Sequence, residues 1–240
     1  MSQPTDNDEN DPDLIEIKTV LIGESGVGKT SIIKQFVHHE FDQEISSSLS
    51  GLYSSKKMVY KSINKNIKFD IWDTAVQEIY RSLAKIFYKD AKVIIFVYDI
   101  TNKKTFDEIK KYWYKQIKAN SIQNAILAVV GNKYDLYDSQ DVNDDKVQEY
   151  ADSIGAIFQL TSAKSNYGIK TLFKNIGKKY FDPDFDYKLS EDIEKQIFNN
   201  KKDDYKRKTR EGSYDDFGLS IDSVKLNNEV KEEKKRRYCC

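Results

Sequence analysis

"GESGVGKT", residues 23–30, decides how the rest of the chain is read. It follows the apolar run "LIEIKTVLI" (14–22) and leads into Ile32, Ile33, Phe36 and Val37, whose spacing puts them on one face of a helix. Strand, glycine-rich turn and helix are the context in which G-x-x-x-x-G-K-[ST] cradles phosphate. The glycines let successive backbone N–H groups curl around phosphate oxygens, and the helix N-terminus adds positive potential. In that setting Lys29 reaches the β- and γ-phosphates and the Thr30 hydroxyl is a ligand for Mg²⁺. The plain alternative, an ordinary glycine-rich turn, does not account for both flanking elements.

Outward from this turn, short apolar runs alternate with helical periodicity. "IKFDIW" (67–72), "VIIFVYDI" (93–100), "AILAVV" (125–130) and "AIFQL" (156–160) read as strands, two of them with six consecutive apolar residues. Strands covered on both faces of a parallel sheet have this composition. Phe106, Ile109, Trp113 and Ile117 form a second helix face, and Ile169, Leu172, Phe173, Ile176 and Tyr180 a third. The alternation predicts an α/β domain with its ligand loops at the carboxyl ends of the strands. In "MVYKSINKNIKFDIW" two strand-like runs flank Asn64-Lys65-Asn66, which predicts a hairpin and one antiparallel edge strand.

Two further loops bear on the base. "GNKYDL" (131–136) follows the 125–130 strand, so it opens on the same sheet edge as the phosphate turn. Asp135 can accept hydrogen bonds from N1–H and the 2-amino group of guanine. Adenine offers neither donor, and buried polar readout of this kind discriminates by ~10⁴ or more. Asn132 can bond the purine edge and the Lys133 stem can cover the ring. "TSAK" (161–164) follows the next strand and brings Ser162, a backbone N–H at Ala163, and the Lys164 stem.

With three such loops in this order, the chain resembles a Ras-superfamily small GTPase over residues 14–181. Within that superfamily "IWDTAVQEIYRSLAKIFYKDAKVIIFVYDITNKKTF" (71–106) and the terminal Cys239-Cys240 resemble the Rab family. The resemblance implies a P-loop NTPase-type fold. Its sheet has six mostly parallel strands, one antiparallel edge strand and helices on both faces. It implies that Gly23 and Ser25, Gly26, Val27, Gly28, Lys29, Thr30 and Ser31 wrap the phosphates, and that Phe41 lies across the guanine. Thr30, Ser48 and Asp73 would hold Mg²⁺, Ser48 standing where the family usually has threonine. Gln77 would orient the attacking water, with Lys29 the other catalytic group.

One residue breaks the pattern. Family members usually read Asp-Thr-Ala-Gly-Gln, and here Val76 replaces the glycine. Valine keeps the N–H that meets the γ-phosphate, but its β-branch restricts the backbone and crowds the site. Slowed hydrolysis or a poorly ordered second switch is one expectation; a loop that simply adjusts is the other. "LSGLY" (49–53), in place of Ile-Gly-x-x-Phe, and Ile79, in place of arginine, alter a surface that meets regulators and effectors.

The totals bound the rest. Lys+Arg and Asp+Glu are 39 each, so no global basic field points to nucleic acid. No apolar run nears the ~18 residues of a membrane span. The start lacks a secretory signal, and Ser2 is not the glycine that myristoylation requires. Both cysteines are terminal, so no disulfide framework is expected. Residues 1–13 read as an acidic disordered start and 182–240 as a flexible tail whose Cys239 and Cys240 carry two prenyl groups. His38 and His39 read as helix-end residues, and Trp72 and Trp113 as core. The expectation is a monomeric GTP/GDP switch in vesicle trafficking, on the cytoplasmic face of endomembranes and cycling with the cytosol. Its expected partners are an exchange factor, a GTPase-activating protein, effectors, a prenylation escort and a GDP-dissociation inhibitor. A nucleotide-bound interaction module with impaired hydrolysis is the rival.

Overall fold

Strand β1 (Leu14–Ile22) is almost wholly buried along its second half and runs through the middle of a six-stranded sheet. The other strands are β2 (Tyr53–Tyr60), β3 (Lys65–Asp73), β4 (Val93–Asp99), β5 (Ile126–Asn132) and β6 (Ile157–Leu160), and the order across the sheet is β2-β3-β1-β4-β5-β6. All neighbouring pairs are parallel except β2 with β3. The computed structural model describes residues 14–42, 53–61, 63–73, 88–119 and 124–189. The chain divides into two units, residues 1–185 and 186–240, and every element named here lies in the first.

Helices cover both faces because the strands are apolar on both. On one face, Val20, Ile22, Ile94, Phe96, Tyr98 and Val129 pack with Phe106, Ile109, Trp113 and Ile117 of helix α2 (residues 103–119) and with Val147 and Ala151 of α3 (Asp144–Ser153). On the other, α1 (Lys29–His38) and α4 (Ile169–Phe181) meet through Phe36 and Phe173, whose rings stack at 3.6 Å and 9°. Phe69 of β3 approaches both rings edge-on, at 6.1 and 5.2 Å. Such ring pairs contribute about 0.5–1.5 kcal/mol each beyond the area they bury.

β1 lies between β3, reached through the hairpin, and β4, reached on the opposite side. The chain therefore leaves β1 at the point where strand order reverses, and a crevice forms there at the carboxyl edge. The phosphate turn sits in that crevice.

Several details differ from what the sequence suggests. The hairpin turns before Lys65, not at Asn64-Lys65-Asn66: Lys65 and Asn66 already pair with Tyr60 and Val59. Asn64 takes the left-handed conformation (φ 50°) that asparagine tolerates, which lets the turn close early. β5 runs two residues beyond 130, so Gly131 and Asn132 belong to the strand. Helix α2 is α-helical over Lys103–Glu108 and Tyr114–Ala119 but makes a π-turn over Ile109–Trp113 between them, with Tyr114 N–H donating to Ile109 O. Hydrophobic periodicity does not reveal this, because Ile109 and Trp113 are both buried either way. Trp72 is half-buried rather than core, with Tyr53 packed against it at 5.3 Å and the Lys18 ammonium 5.5 Å from its ring.

Candidate functional site

The phosphate turn begins where β1 ends. Gly23 (φ 156°) and Gly28 (φ 95°) adopt conformations that favour glycine, and neither has room for a side chain. A Cβ on Gly23 would run into the carbonyl of Val97, and one on Gly28 into the Asn132 amide. Val27 is buried beneath the turn, while Ser25 and Gly26 face outward and Ser31 is half-buried at the start of α1. Lys29 folds back over the turn, its ammonium donating to Gly23 O at 2.8 Å and Glu24 O at 2.9 Å. Burial holds its pKa below the ordinary lysine value, against opposing pulls from Asp73 and Glu24. A buried ammonium of this kind favours the approach of an anion.

Beside it, the Thr30 hydroxyl donates to Asp73 Oδ2, joining the start of α1 to the end of β3. Asp73 is buried at the carboxyl end of β3. Hydroxyl and carboxylate oxygens next to a helix N-terminus are hard ligands of the sort Mg²⁺ takes in small number, the remainder coming from phosphate and water. The donor set fits that ion. Among the described residues no group of three or more His, Cys, Asp or Glu could hold a metal by itself.

The other end of the site is built around Asn132, which is 2 % exposed. Its Nδ2 donates to Val27 O at 2.9 Å in the phosphate turn. Its Oδ1 accepts from the Thr161 hydroxyl at 3.2 Å and from Ala163 N–H at 3.3 Å. One side chain thus joins all three loops. Asp135 is exposed at the rim, and its Oδ1 accepts from the Ser162 hydroxyl at 2.6 Å. Ser162 Oγ in turn accepts from Ser165 N–H at 3.1 Å. Lys133 adopts a left-handed backbone (φ 70°), and its ammonium pairs with Asp99 at 2.6 Å. Thr101 holds the other Asp99 oxygen through its N–H and hydroxyl. Lys164 and Phe41 are exposed.

The structure thus gathers Gly23 to Ser31, Asp73, Asn132 to Asp135 and Ser162 to Lys164 along one sheet edge. Ser48, Val76, Gln77, Ile79, Cys239 and Cys240 lie outside the described residues. Asn132 and Ala163 are both read from sequence as base contacts, and the structure adds that they are joined, the Ala163 N–H donating to Asn132 Oδ1. The amide is a brace between the loops. Sequence reasoning also missed Trp113, whose indole N–H donates to Glu24 Oε1 at 2.9 Å and ties α2 to the phosphate turn. Its position on an apolar helix face hid the polar handle that a buried indole usually uses.

The Ras family model matches residues 18–182. The chain belongs to the Ras family. Among its relatives are Ras-related protein Rab-22A of Homo sapiens, 41 % identical over 69 % of this chain and 84 % of the relative, and Ras-related protein Rab-31 of Homo sapiens, 41 % identical over 68 % and 83 %. Ras-related protein RabJ of Dictyostelium discoideum is 41 % identical over 69 % of this chain and 63 % of its own length. The chain is a Rab-like small GTPase of vesicle trafficking, associated with endomembranes, that binds guanine nucleotide, hydrolyses GTP and works with regulators and effectors. No described helix is long and apolar enough to cross a membrane.

Proposed function

We propose that this GTPase is an anchored switch whose three loops hold the nucleotide as follows. Gly23 and the segment Ser25–Ser31 wrap the phosphates, Lys29 neutralises the β- and γ-oxygens, and Thr30, Ser48 and Asp73 hold Mg²⁺. Asp135 reads N1–H and the 2-amino group, with Asn132 at the purine edge, Lys133, Lys164 and Phe41 around the ring, and Ser162 and Ala163 completing the base loop. The observation that carries this reading is the Asn132 brace. It brings the phosphate turn within a hydrogen bond of the strand that presents Asp135. Magnesium, when bound, supplies charge neutralisation between the phosphate oxygens.

Gln77 positions the attacking water, Lys29 stabilises the departing charge, and an accelerating arginine comes from a GTPase-activating protein. Val76 slows the step by crowding the γ-phosphate. The second reading, a nucleotide-bound module with impaired hydrolysis, rests on the same residue. Residues 182–240 serve as a tether. Two prenyl groups on Cys239 and Cys240 anchor it to the cytoplasmic face, where one lipid alone would hold only marginally. An escort protein, a GDP-dissociation inhibitor and an exchange factor complete the cycle.

Two measurements test this. The nucleotide released from the purified protein on denaturation should be GDP with some GTP; adenine nucleotide in its place would refute the base assignment. Single-turnover hydrolysis of GTP should be faster in Val76→Gly than in the natural chain. Equal rates would remove Val76 as a brake, and no turnover in the natural chain, even with an activator, would favour the module.

A further inference from the structure

Three tyrosines near the base end, Tyr134, Tyr137 and Tyr167, are not used by any role assigned so far, and their rings form a set. Tyr134 and Tyr167 stack at 5.1 Å and 24°, although Tyr167 is 51 % exposed. Tyr137, 60 % exposed, leans on Tyr134 at 6.2 Å and 39°. Tyr134 is the neighbour of Asp135, and its N–H donates to Thr161 O at 3.0 Å. Tyr167 exchanges two backbone hydrogen bonds with Ser162, each 3.0 Å, closing the turn in which Ser162 orients Asp135. The stacked rings therefore bracket the Asp135–Ser162 bond, one from each loop.

From this geometry we infer that Tyr134 and Tyr167 are positioning residues that clamp the two base loops together and slow nucleotide release. The inference rests on guanine lying between those loops, as proposed above. A ring held there leaves by separating residues 132–135 from 162–164, and that movement must first part the tyrosines. Neither ring touches the base. They act through Asp135, whose aim depends on Ser162, whose backbone Tyr167 fixes. An aromatic pair of this type is strong enough to change a release rate about three- to tenfold.

The test uses the full chain loaded with a fluorescent GDP in excess Mg²⁺. Tyr167→Ala and Tyr134→Ala should each release nucleotide about three to ten times faster, Tyr167→Phe should match the natural chain, and Tyr137→Ala should change little. The double alanine variant should be no faster than the faster single variant, since both remove one contact. A second readout compares GDP with IDP, which lacks the 2-amino group that Asp135 accepts. Loosening Asp135 should narrow the preference for GDP over IDP in the alanine variants, whereas general loss of stability would weaken both ligands alike. Natural-chain release rates in both alanine variants, or an unchanged GDP/IDP ratio, would overturn the clamp. Failure of the natural chain to hold GDP would instead overturn the reading of the site beneath it.

Discussion

The two ends of the site are organised by different forces. At the base end the polar groups are joined by side-chain hydrogen bonds between loops: Asn132 to Val27, Thr161 and Ala163, and Ser162 to the Asp135 carboxylate. At the phosphate end the organising group is a buried cation. Lys29 meets two carbonyl oxygens and has its pKa lowered by desolvation. The base end is therefore set by the fold itself, while the phosphate end keeps the electrostatic demand of a buried cation. On the proposed reading, selectivity belongs to the first and tightness to the second.

The comparison breaks most visibly at Lys29. Lys29→Ala should weaken GDP binding by about a hundred- to a thousandfold, the scale for truncating one partner of a buried charge contact. The nucleotide-free protein should lose little stability, because a desolvated cation has been removed. Equilibrium titration and urea unfolding check the two halves of that statement. An equal loss in both would mean that Lys29 is a structural residue first.

Asn132→Ala should do the reverse. It leaves a carbonyl, a hydroxyl and an amide without their partner, so folding stability should fall by about 2–4 kcal/mol. Affinity should fall as a consequence of the loops separating. Unfolding followed by circular dichroism, without nucleotide, is the measurement. Unchanged stability would contradict the brace.

A smaller effect is expected where α2 is tied to the phosphate turn. Trp113→Phe keeps the ring in the core and removes the donor to Glu24, so GTP affinity should drop by about 1 kcal/mol, near fivefold. No change would show that the phosphate turn holds its shape unaided.

The smallest effect concerns buried phenols. The Tyr98 hydroxyl lies fully buried with no hydrogen-bond partner among the described residues. Tyr98→Phe should be neutral or stabilising by about 1 kcal/mol. Burial pushes the Tyr98 and Tyr60 hydroxyls well up, and that of Tyr150 up to about 12. Above their ordinary value near 10 the unfolded chain loses protons that the folded chain retains, so stability falls as pH rises from there. Lys29 and Lys56 work in the opposite direction, since their folded values are lowered, but Tyr53 and Tyr88 are raised as well. Thermal unfolding from pH 9 to 11 should show a net decline, shallower in Tyr98→Phe.

The fold could be read from residues because its signals are local. Six apolar residues in a row in Val93 to Tyr98 announce a strand buried on both faces, and "GESGVGKT" marks the strand-to-helix turn. The antiparallel edge strand followed from one hairpin. The π-turn of α2 was invisible, because periodicity reports which side is buried and not how the backbone gets there. In the site, residue types announced Lys29, Thr30 and Asp135. They did not announce that Asn132 would brace three loops, that Lys133 would pair with Asp99, or that Tyr134 would stack on Tyr167. Each of those contacts joins residues far apart in sequence, and only the convergence of β1, β4, β5 and β6 brings them together.

The central claim is that three loops at one sheet edge form a site for guanosine phosphates in particular. The most direct measurement is competition against a fluorescent GDP on the full-length protein with Mg²⁺ present. Unlabelled GDP should displace the probe stoichiometrically, and ADP should fail at about a thousandfold excess, because Asp135 finds no N1–H or 2-amino donor on adenine. Displacement by ADP at concentrations similar to GDP would contradict it.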